Sequence, residues 1–167
     1  MLIWCHRLKS LVVYYSRTDT TKVVAQAISS TLNCDIEEVT DTKKRSGFIG
    51  FVKSGREIGQ KKLTKIIKPK YDPALYDIII IGTPVWRDSV SIPIRTYVIK
   101  YKDKFQKVAF FCTQGLSKTN VFSEMEKLID KKPLATLRLT QKEVEREEFL
   151  EKVNCFLDEI RRVMGAS

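Results

Sequence analysis

Four consecutive isoleucines, in the stretch YDIIII that ends at Ile81, constrain the fold of this chain more than any other feature. A half-exposed strand alternates apolar and polar residues, whereas a strand that is buried on both faces can be apolar throughout. We therefore predict a central strand here that stops at Gly82.

Other apolar runs alternate with helical patterns along the chain, as strands and helices do in α/β proteins. We predict further strands in Ser10–Tyr15, Cys34–Val39, KVAFFCTQG and LATLRL. We predict helices in Thr21–Leu32, in SIPIRTYVIKYKDK after Pro93, in NVFSEMEKLI and in Lys142–Val163, with a partly irregular helix between Asp41 and Pro69. This alternation predicts a three-layer sandwich, in which a five-stranded parallel sheet of order 2-1-3-4-5 carries helices on both faces.

Length and composition favour one domain in a reducing compartment. The 167 residues can bury one core, and their 43% hydrophobic and 30% charged residues match an average soluble protein. We expect an N-terminal extension over residues 1–9 and a single domain over 10–167. The four cysteines are widely spaced and the opening apolar run is too short for a secretory core, so we expect a cytoplasmic protein. The only histidine, His6, lies in the extension, which disfavours His-dependent triads and His-ligated metal sites.

Three loops are the candidate site, because ligands of an open parallel sheet bind beyond the carboxyl ends of its strands, where the strand order reverses. These loops are SRTDTT after the first strand, GTPVWRDS after the third and CTQGLSK after the fourth. The first supplies the hydroxyls of Ser16, Thr18, Thr20 and Thr21 at the start of a helix, which favours an anion such as a phosphate. The same residue types are also ordinary helix N-caps.

Trp86 and Arg87 follow a Pro-Val pair that we interpret as a turn, so we expect both at the surface. A tryptophan in this place either packs back over the sheet or forms a platform for a planar ligand, and the neighbouring phosphate loop favours the platform. Cys112 ends a buried strand, where cysteine usually serves as a small apolar residue rather than a redox group.

Three segments, YSRTDTTKVVA, YDIIIIGTPVW followed by IPIRTYV, and AFFCTQG, resemble the flavin-contacting segments of the flavodoxin-like family, specifically its short prokaryotic members. The resemblance covers most of the chain in the correct order. It implies bound FMN, with the phosphate and the isoalloxazine ring contacted by Ser16, Arg17, Thr18, Asp19, Thr20, Thr21, Thr83, Pro84, Val85, Trp86, Arg87, Cys112, Thr113, Gln114 and Gly115. It also implies a homo-oligomer.

Asp19 departs from the family pattern, which has glycine at this position. Aspartate adopts the left-handed backbone conformation more readily than most residues, so the shape of the loop can survive. A carboxylate close to a phosphate is repelled unless it turns outward or pairs with Arg17 or Lys22, which predicts weakened FMN affinity.

The net charge of +10 is concentrated between Lys43 and Lys70, a segment that contains ten basic residues and only one acidic residue, Glu57. Such a segment is most often a solvated face. It could instead attract an acidic redox partner, the phosphates of NADPH or an anionic membrane surface. Nucleic acid is disfavoured, because Phe48 and Phe51 have packing spacing and no reader motif accompanies the charge.

The charge also bears on the kind of flavin protein, since family members that carry single electrons are typically acidic around the flavin. A cation such as Arg87, about 7 Å from the ring at an effective dielectric near 20, favours the anionic reduced flavin by roughly 2 kcal/mol. The loop TQGLSK also lacks an aromatic residue to cover the ring, which leaves a face for a nicotinamide or a quinone. We expect an FMN-dependent oxidoreductase that passes two electrons from NAD(P)H to quinones or similar small acceptors. The alternatives are a one-electron carrier and a flavodoxin-shaped binding module that has lost FMN.

Overall fold

The computed structural model describes residues 8–42, 63–115 and 120–165. The predicted extension lies almost wholly outside the described residues, and so does most of the predicted irregular helix and its basic segment. Residues 63–69, at the described end of that segment, are not helical. Instead, Ile66 forms an isolated antiparallel bridge with Asp41.

Strands and helices alternate as predicted. In chain order the elements are β1 (Ser10–Tyr14), α1 (Thr20–Leu32), β2 (Asp35–Glu38), β3 (Ile78–Trp86), β4 (Ser89–Val90), α2 (Ile92–Tyr101), β5 (Lys107–Gln114), α3 (Val121–Ile129), β6 (Thr136–Thr140), α4 (Gln141–Glu145) and α5 (Leu150–Gly165). The parallel sheet has the order β2-β1-β3-β5-β6, while β4 pairs antiparallel with β3. With the short β4 set aside, this is the predicted order 2-1-3-4-5, so the predicted fold class is confirmed.

The isoleucine run forms the centre of the sheet. Ile78 and Ile80 face one core cluster, which includes residues of α1 and α5, and Ile79 and Ile81 face the other, which includes residues of α2 and α3. All four side chains are fully buried. Burial on both faces explains why the run lacks the polar alternation of a half-exposed strand.

β3 does not stop at Gly82, as the sequence suggested, but continues to Trp86. Glycine at this position lets the ring of Phe111 on β5 lie directly against the backbone of β3, because a Cβ atom at Gly82 would lie 2.0 Å from Cζ of Phe111. The predicted Pro-Val turn is also wrong, since both residues belong to the strand. The chain reverses instead at Arg87 and Asp88, whose φ angles of 45° and 61° are those of a two-residue hairpin turn.

The last predicted helix, Lys142–Val163, is two helices. Glu147 has a left-handed φ of 59°, and the N–H of Glu148 donates to the carbonyl of Glu143 at 3.0 Å, which ends α4 in a Schellman motif. Val144 and Phe149, on either side of the break, face the same core cluster, so the apolar pattern continues across it. Within the described ranges, no helix has the length and apolarity needed to cross a bilayer.

Candidate functional site

A cleft of about 270 Å³ lies at the carboxyl ends of β1, β3 and β5, where the strand order reverses. It brings together all three loops that the sequence singled out. The lining residues are Arg17, Thr18, Thr20, Thr21, Pro84, Val85, Trp86, Thr113, Gln114, Gly115 and Gln141. All of them except Gln141 are predicted site residues.

The hydroxyl-rich turn before α1 forms one end of the cleft. Thr18 and Thr20 lie here with their hydroxyl oxygens 3.5 Å apart. The hydroxyl of Ser16, at the base of the turn, is buried and has no hydrogen-bond partner among the described residues. A buried hydroxyl without a partner is costly, and an anion seated on this turn would satisfy it. The turn therefore fits a phosphate.

Asp19 occupies the position of the family glycine with a glycine-like backbone, at φ 61° and ψ −11°. As the N-cap of α1 it makes no side-chain cap hydrogen bond. Its side chain is 82% exposed, with Oδ1 4.0 Å from Nζ of Lys22, and it does not line the cleft. The carboxylate is thus turned outward, where solvent screens its repulsion of an anion. Weakened FMN affinity stays a prediction.

Two hydrogen bonds fix the polar side chains at the end of β5. The hydroxyls of Thr21 and Thr113, both buried, lie 2.7 Å apart and join the start of α1 to the end of β5. Nη1 of Arg138 on β6 donates to Oε1 of Gln114 at 2.8 Å. The guanidinium of Arg138 in turn lies 5.0 Å from the ring centre of Phe122. Polar side chains of α1, β5 and β6 are therefore held in one arrangement around the cleft.

Trp86 forms the opposite wall with Pro84 and Val85. The expectation that Trp86 is a surface residue is wrong, because it is only 8% exposed and meets Tyr15 edge to face at 5.6 Å. The guanidinium of Arg17 lies 5.7 Å from the Trp86 ring centre. Trp86 is thus packed against the core and lines the cleft as well, which combines the two roles that the sequence left open.

Five predicted contact residues do not line the cleft: Ser16 and Asp19 in the turn before α1, and Thr83, Arg87 and Cys112. Thr83 is fully buried, and its hydroxyl oxygen accepts the backbone N–H of Ser91 at 3.1 Å, so it joins β3 to the start of α2. Cys112 is fully buried, and burial raises the pKa of its thiol to about 12, as expected of a cysteine in an apolar core. Arg87 is exposed at the tip of the hairpin turn.

Gln141 is the lining residue that the sequence analysis missed. It directly follows β6, whose carboxyl end lies at the same edge of the sheet as the other site loops. The rule that located the other loops would have located Gln141. Residues 8–42, 63–115 and 120–165 contain no group of three or more His, Cys, Asp or Glu side chains placed to hold a metal ion.

No protein-family profile and no curated relative matches the sequence. Among solved structures, the flavoprotein of Lactobacillus acidophilus NCFM in complex with FMN is 25% identical with a TM-score of 0.69, over 83% of this chain and 97% of that one. A protein of Bacteroides eggerthii DSM 20697 assigned as a flavoprotein is 22% identical with a TM-score of 0.69, over 88% and 98%. One of Bacteroides uniformis ATCC 8492 with the same assignment is 22% identical with a TM-score of 0.68, over 83% and 96%. Sheet order and this likeness together show that the chain has a flavodoxin-like fold.

Proposed function

We propose that the chain binds FMN in the cleft and is a reductase that passes two electrons from NAD(P)H to a quinone or a similar small acceptor. The observation that carries the FMN part is the buried, unpartnered hydroxyl of Ser16 beside the other hydroxyls of the turn before α1, at one end of a cleft walled by an aromatic residue. The FMN complex of the structural neighbour from Lactobacillus acidophilus supports the same choice of ligand.

The turn before α1 would hold the phosphate. Thr18 and Thr20 offer hydroxyl donors that line the cleft, Ser16 offers a buried one at the base of the same turn, and the start of a thirteen-residue helix adds its positive dipole end. Hydrogen bonds to a charged phosphate are about twice as strong as those between neutral groups. The outward orientation of Asp19 leaves this end of the cleft without a competing carboxylate.

The ring would lie between the wall formed by Pro84, Val85 and Trp86 and the end of β5. Gln114 has its amide oxygen engaged by Arg138, so the amide N–H groups are the ones left to donate to the polar edge of a flavin. The loop TQGLSK has no aromatic residue to cover the ring, which supports stacking of a second planar molecule against the cofactor.

FMN, when bound, supplies a ring that takes a hydride from NAD(P)H and returns two electrons with protons to the acceptor, so that a quinone becomes a hydroquinone. The contribution of the protein is electrostatic. Arg17 lies in the cleft, unlike Arg87, and takes the electrostatic role first expected of Arg87. Its positive charge would stabilise the negative charge that reduction brings, by roughly 2 kcal/mol at about 7 Å and an effective dielectric near 20.

NAD(P)H oxidation by the FMN-loaded protein, with a benzoquinone as acceptor, tests the reductase. We expect oxidation that requires both the protein and the quinone and produces one hydroquinone per NAD(P)H. Failure to oxidise NAD(P)H, together with rapid exchange with one-electron acceptors, would replace the reductase with a one-electron carrier. Failure to bind FMN at all would leave the binding-module alternative.

The remaining expectations on location and partners are part of the same proposal. Cys34, Cys112 and Cys155 are free thiols, which supports a reducing compartment such as the cytoplasm. We propose a homo-oligomer and a role for the basic segment 43–70 in attracting an acidic redox partner or an anionic membrane surface. Analytical ultracentrifugation tests the first, and the salt dependence of the reduction rate tests the second.

A further inference from the structure

Glu124 on α3 fastens the hairpin that carries Trp86. Its carboxylate accepts the hydroxyl of Ser89 at 2.8 Å, the backbone N–H of Val90 at 2.9 Å and Nη2 of Arg95, with which it forms an ion pair. The side chain of Arg95 is only 5% exposed and that of Glu124 26%. Nη2 of Arg95 also donates to the Ser89 hydroxyl oxygen at 3.0 Å. Glu124 thus joins β4, α2 and α3.

The residues that Glu124 holds are the strand partners of the cleft wall. Trp86 pairs with Ser89 and Val85 pairs with Val90 across the hairpin. A two-residue strand has little stability of its own and depends on tertiary contacts. Glu124 therefore contacts the two residues of β4 that pair with Val85 and Trp86, and these two partners are the ones that line the cleft.

We propose that Glu124 and Arg95 are positioning residues of the cleft, which hold Trp86 and Val85 in the place that a flat aromatic ligand requires. This inference rests on the proposed FMN site, because the ligand is taken to be the flavin ring. Neither residue lines the cleft, so neither is a direct contact of the ligand.

The chemistry of the contact requires a carboxylate. Three donors converge on Glu124, two from β4 and one from α2, and only an acceptor with two oxygens and a negative charge satisfies all of them. Glutamine would turn an amide N–H₂ toward at least one of these donors. It would also leave the guanidinium of Arg95 buried without a counter-charge, which is more costly than removing both charges.

The test uses full-length protein in which Trp4→Phe leaves Trp86 as the only tryptophan, since the chain has two. Glu124→Gln is compared with Glu126→Gln, a change of the same type on the same helix. We measure acrylamide quenching of Trp86 fluorescence without ligand, FMN affinity by titration and the melting temperature. For Glu124→Gln we expect stronger quenching and about tenfold weaker FMN binding. Glu126→Gln leaves both unchanged.

A lower melting temperature with unchanged Trp86 quenching and unchanged FMN affinity would show a merely structural ion pair and would overturn the inference. If Glu124→Gln does not fold, Ser89→Ala takes its place, because it removes one donor and keeps the ion pair. We expect about threefold weaker FMN binding for Ser89→Ala, and an unchanged affinity would overturn the inference. If the parent protein does not bind FMN, the proposed function fails, while the quenching comparison still decides whether Glu124 positions Trp86.

Discussion

The hydroxyl oxygens of Thr21 and Thr113 lie 2.7 Å apart in the interior, one at the start of α1 and the other at the end of β5. This hydrogen bond ties the turn that would hold the phosphate to the strand that would contact the ring. Because both residues are buried, the bond forms where the local dielectric is low, which strengthens it electrostatically. The two ends of the cleft are therefore one structural unit.

Thr21→Val is expected to lower the free energy of unfolding by about 1–3 kcal/mol, because it leaves the Thr113 hydroxyl buried without a partner. Thr113→Val has a similar effect, and the double variant costs less than the sum of the two. Urea denaturation measures all three. Thr31→Val, on the exposed side of the same helix, is the control and changes stability by less than about 0.5 kcal/mol. Strictly additive losses would contradict a direct Thr21–Thr113 bond.

Gly82→Ala is expected to destabilise the protein by about 1–3 kcal/mol or more, because the new methyl group overlaps the ring of Phe111. Gly115→Ala is the matched control, since a Cβ at that position meets no described atom within 4 Å. Thermal unfolding of the two variants measures the difference. Leucine at position 111 in the double variant Gly82→Ala/Phe111→Leu makes room and recovers part of the loss. Equal effects of the two glycine substitutions would contradict the close packing of β3 against β5.

Stability is expected to fall as the pH drops from about 5 toward 2, partly through Glu143. A hydrogen bond from Lys152, followed by those from the side chain and backbone of Thr140, lowers the pKa of the Glu143 carboxyl to about 2. A carboxyl with a lowered folded-state pKa stabilises the protein above its unfolded pKa, and this stabilisation is lost as the pH falls through the folded value. Glu143→Gln keeps part of the capping box but loses the ion pair.

Melting temperatures between pH 7 and pH 2 check this prediction. We expect the wild type to be more stable than Glu143→Gln at pH 7, by about 1 kcal/mol, and the gap to close at low pH. Glu145→Gln on the same short helix is the control. A gap that stays constant over this range would mean that the Glu143 charge does not contribute.

Arg17→Gln is expected to lower the two-electron midpoint potential of the bound flavin by about 40 mV, which is roughly 2 kcal/mol shared between two electrons. Arg87→Gln removes the same charge from the exposed hairpin tip and shifts the potential much less, because Arg87 does not line the cleft. Arg17→Lys keeps the positive charge, so we expect its midpoint potential to stay close to that of the wild type. Spectroelectrochemical titration gives all four values, wild type included. An equal shift for Arg17→Gln and Arg87→Gln would contradict the assignment to Arg17.

The sequence predicts the layers and the three site loops because these follow from patterns that repeat. The isoleucine run requires burial on both faces, and the alternation of strands and helices determines which loops share an edge of the sheet. The missed features have no such pattern. Arg87 and Glu147 are left-handed although neither is glycine, asparagine or aspartate, so Asp88 is the one sequence signal for the hairpin turn and nothing marks the break between α4 and α5. Gly82 looks like a strand end, because glycine is common both in turns and where a neighbouring side chain needs space.

The contact between Glu124 and the hairpin also lies beyond pattern reasoning. Glu124 and Ser89 are far apart in the sequence, and a glutamate on an amphipathic helix is usually a solvent-facing residue. Only the packing of α3 beside α2 and β4 turns it inward. Interactions of this kind become visible only in three dimensions.

The central claim is that the turn before α1 binds the phosphate of FMN, and the most direct measurement is a comparison of FMN with riboflavin. The flavin-stripped protein is titrated with each, and binding is followed by the change in flavin fluorescence. The two ligands differ only in the phosphate, so we expect FMN to bind about a hundredfold more tightly, with most of that advantage lost in Ser16→Ala. Equal affinity for the two flavins, or no binding of either, would contradict the account.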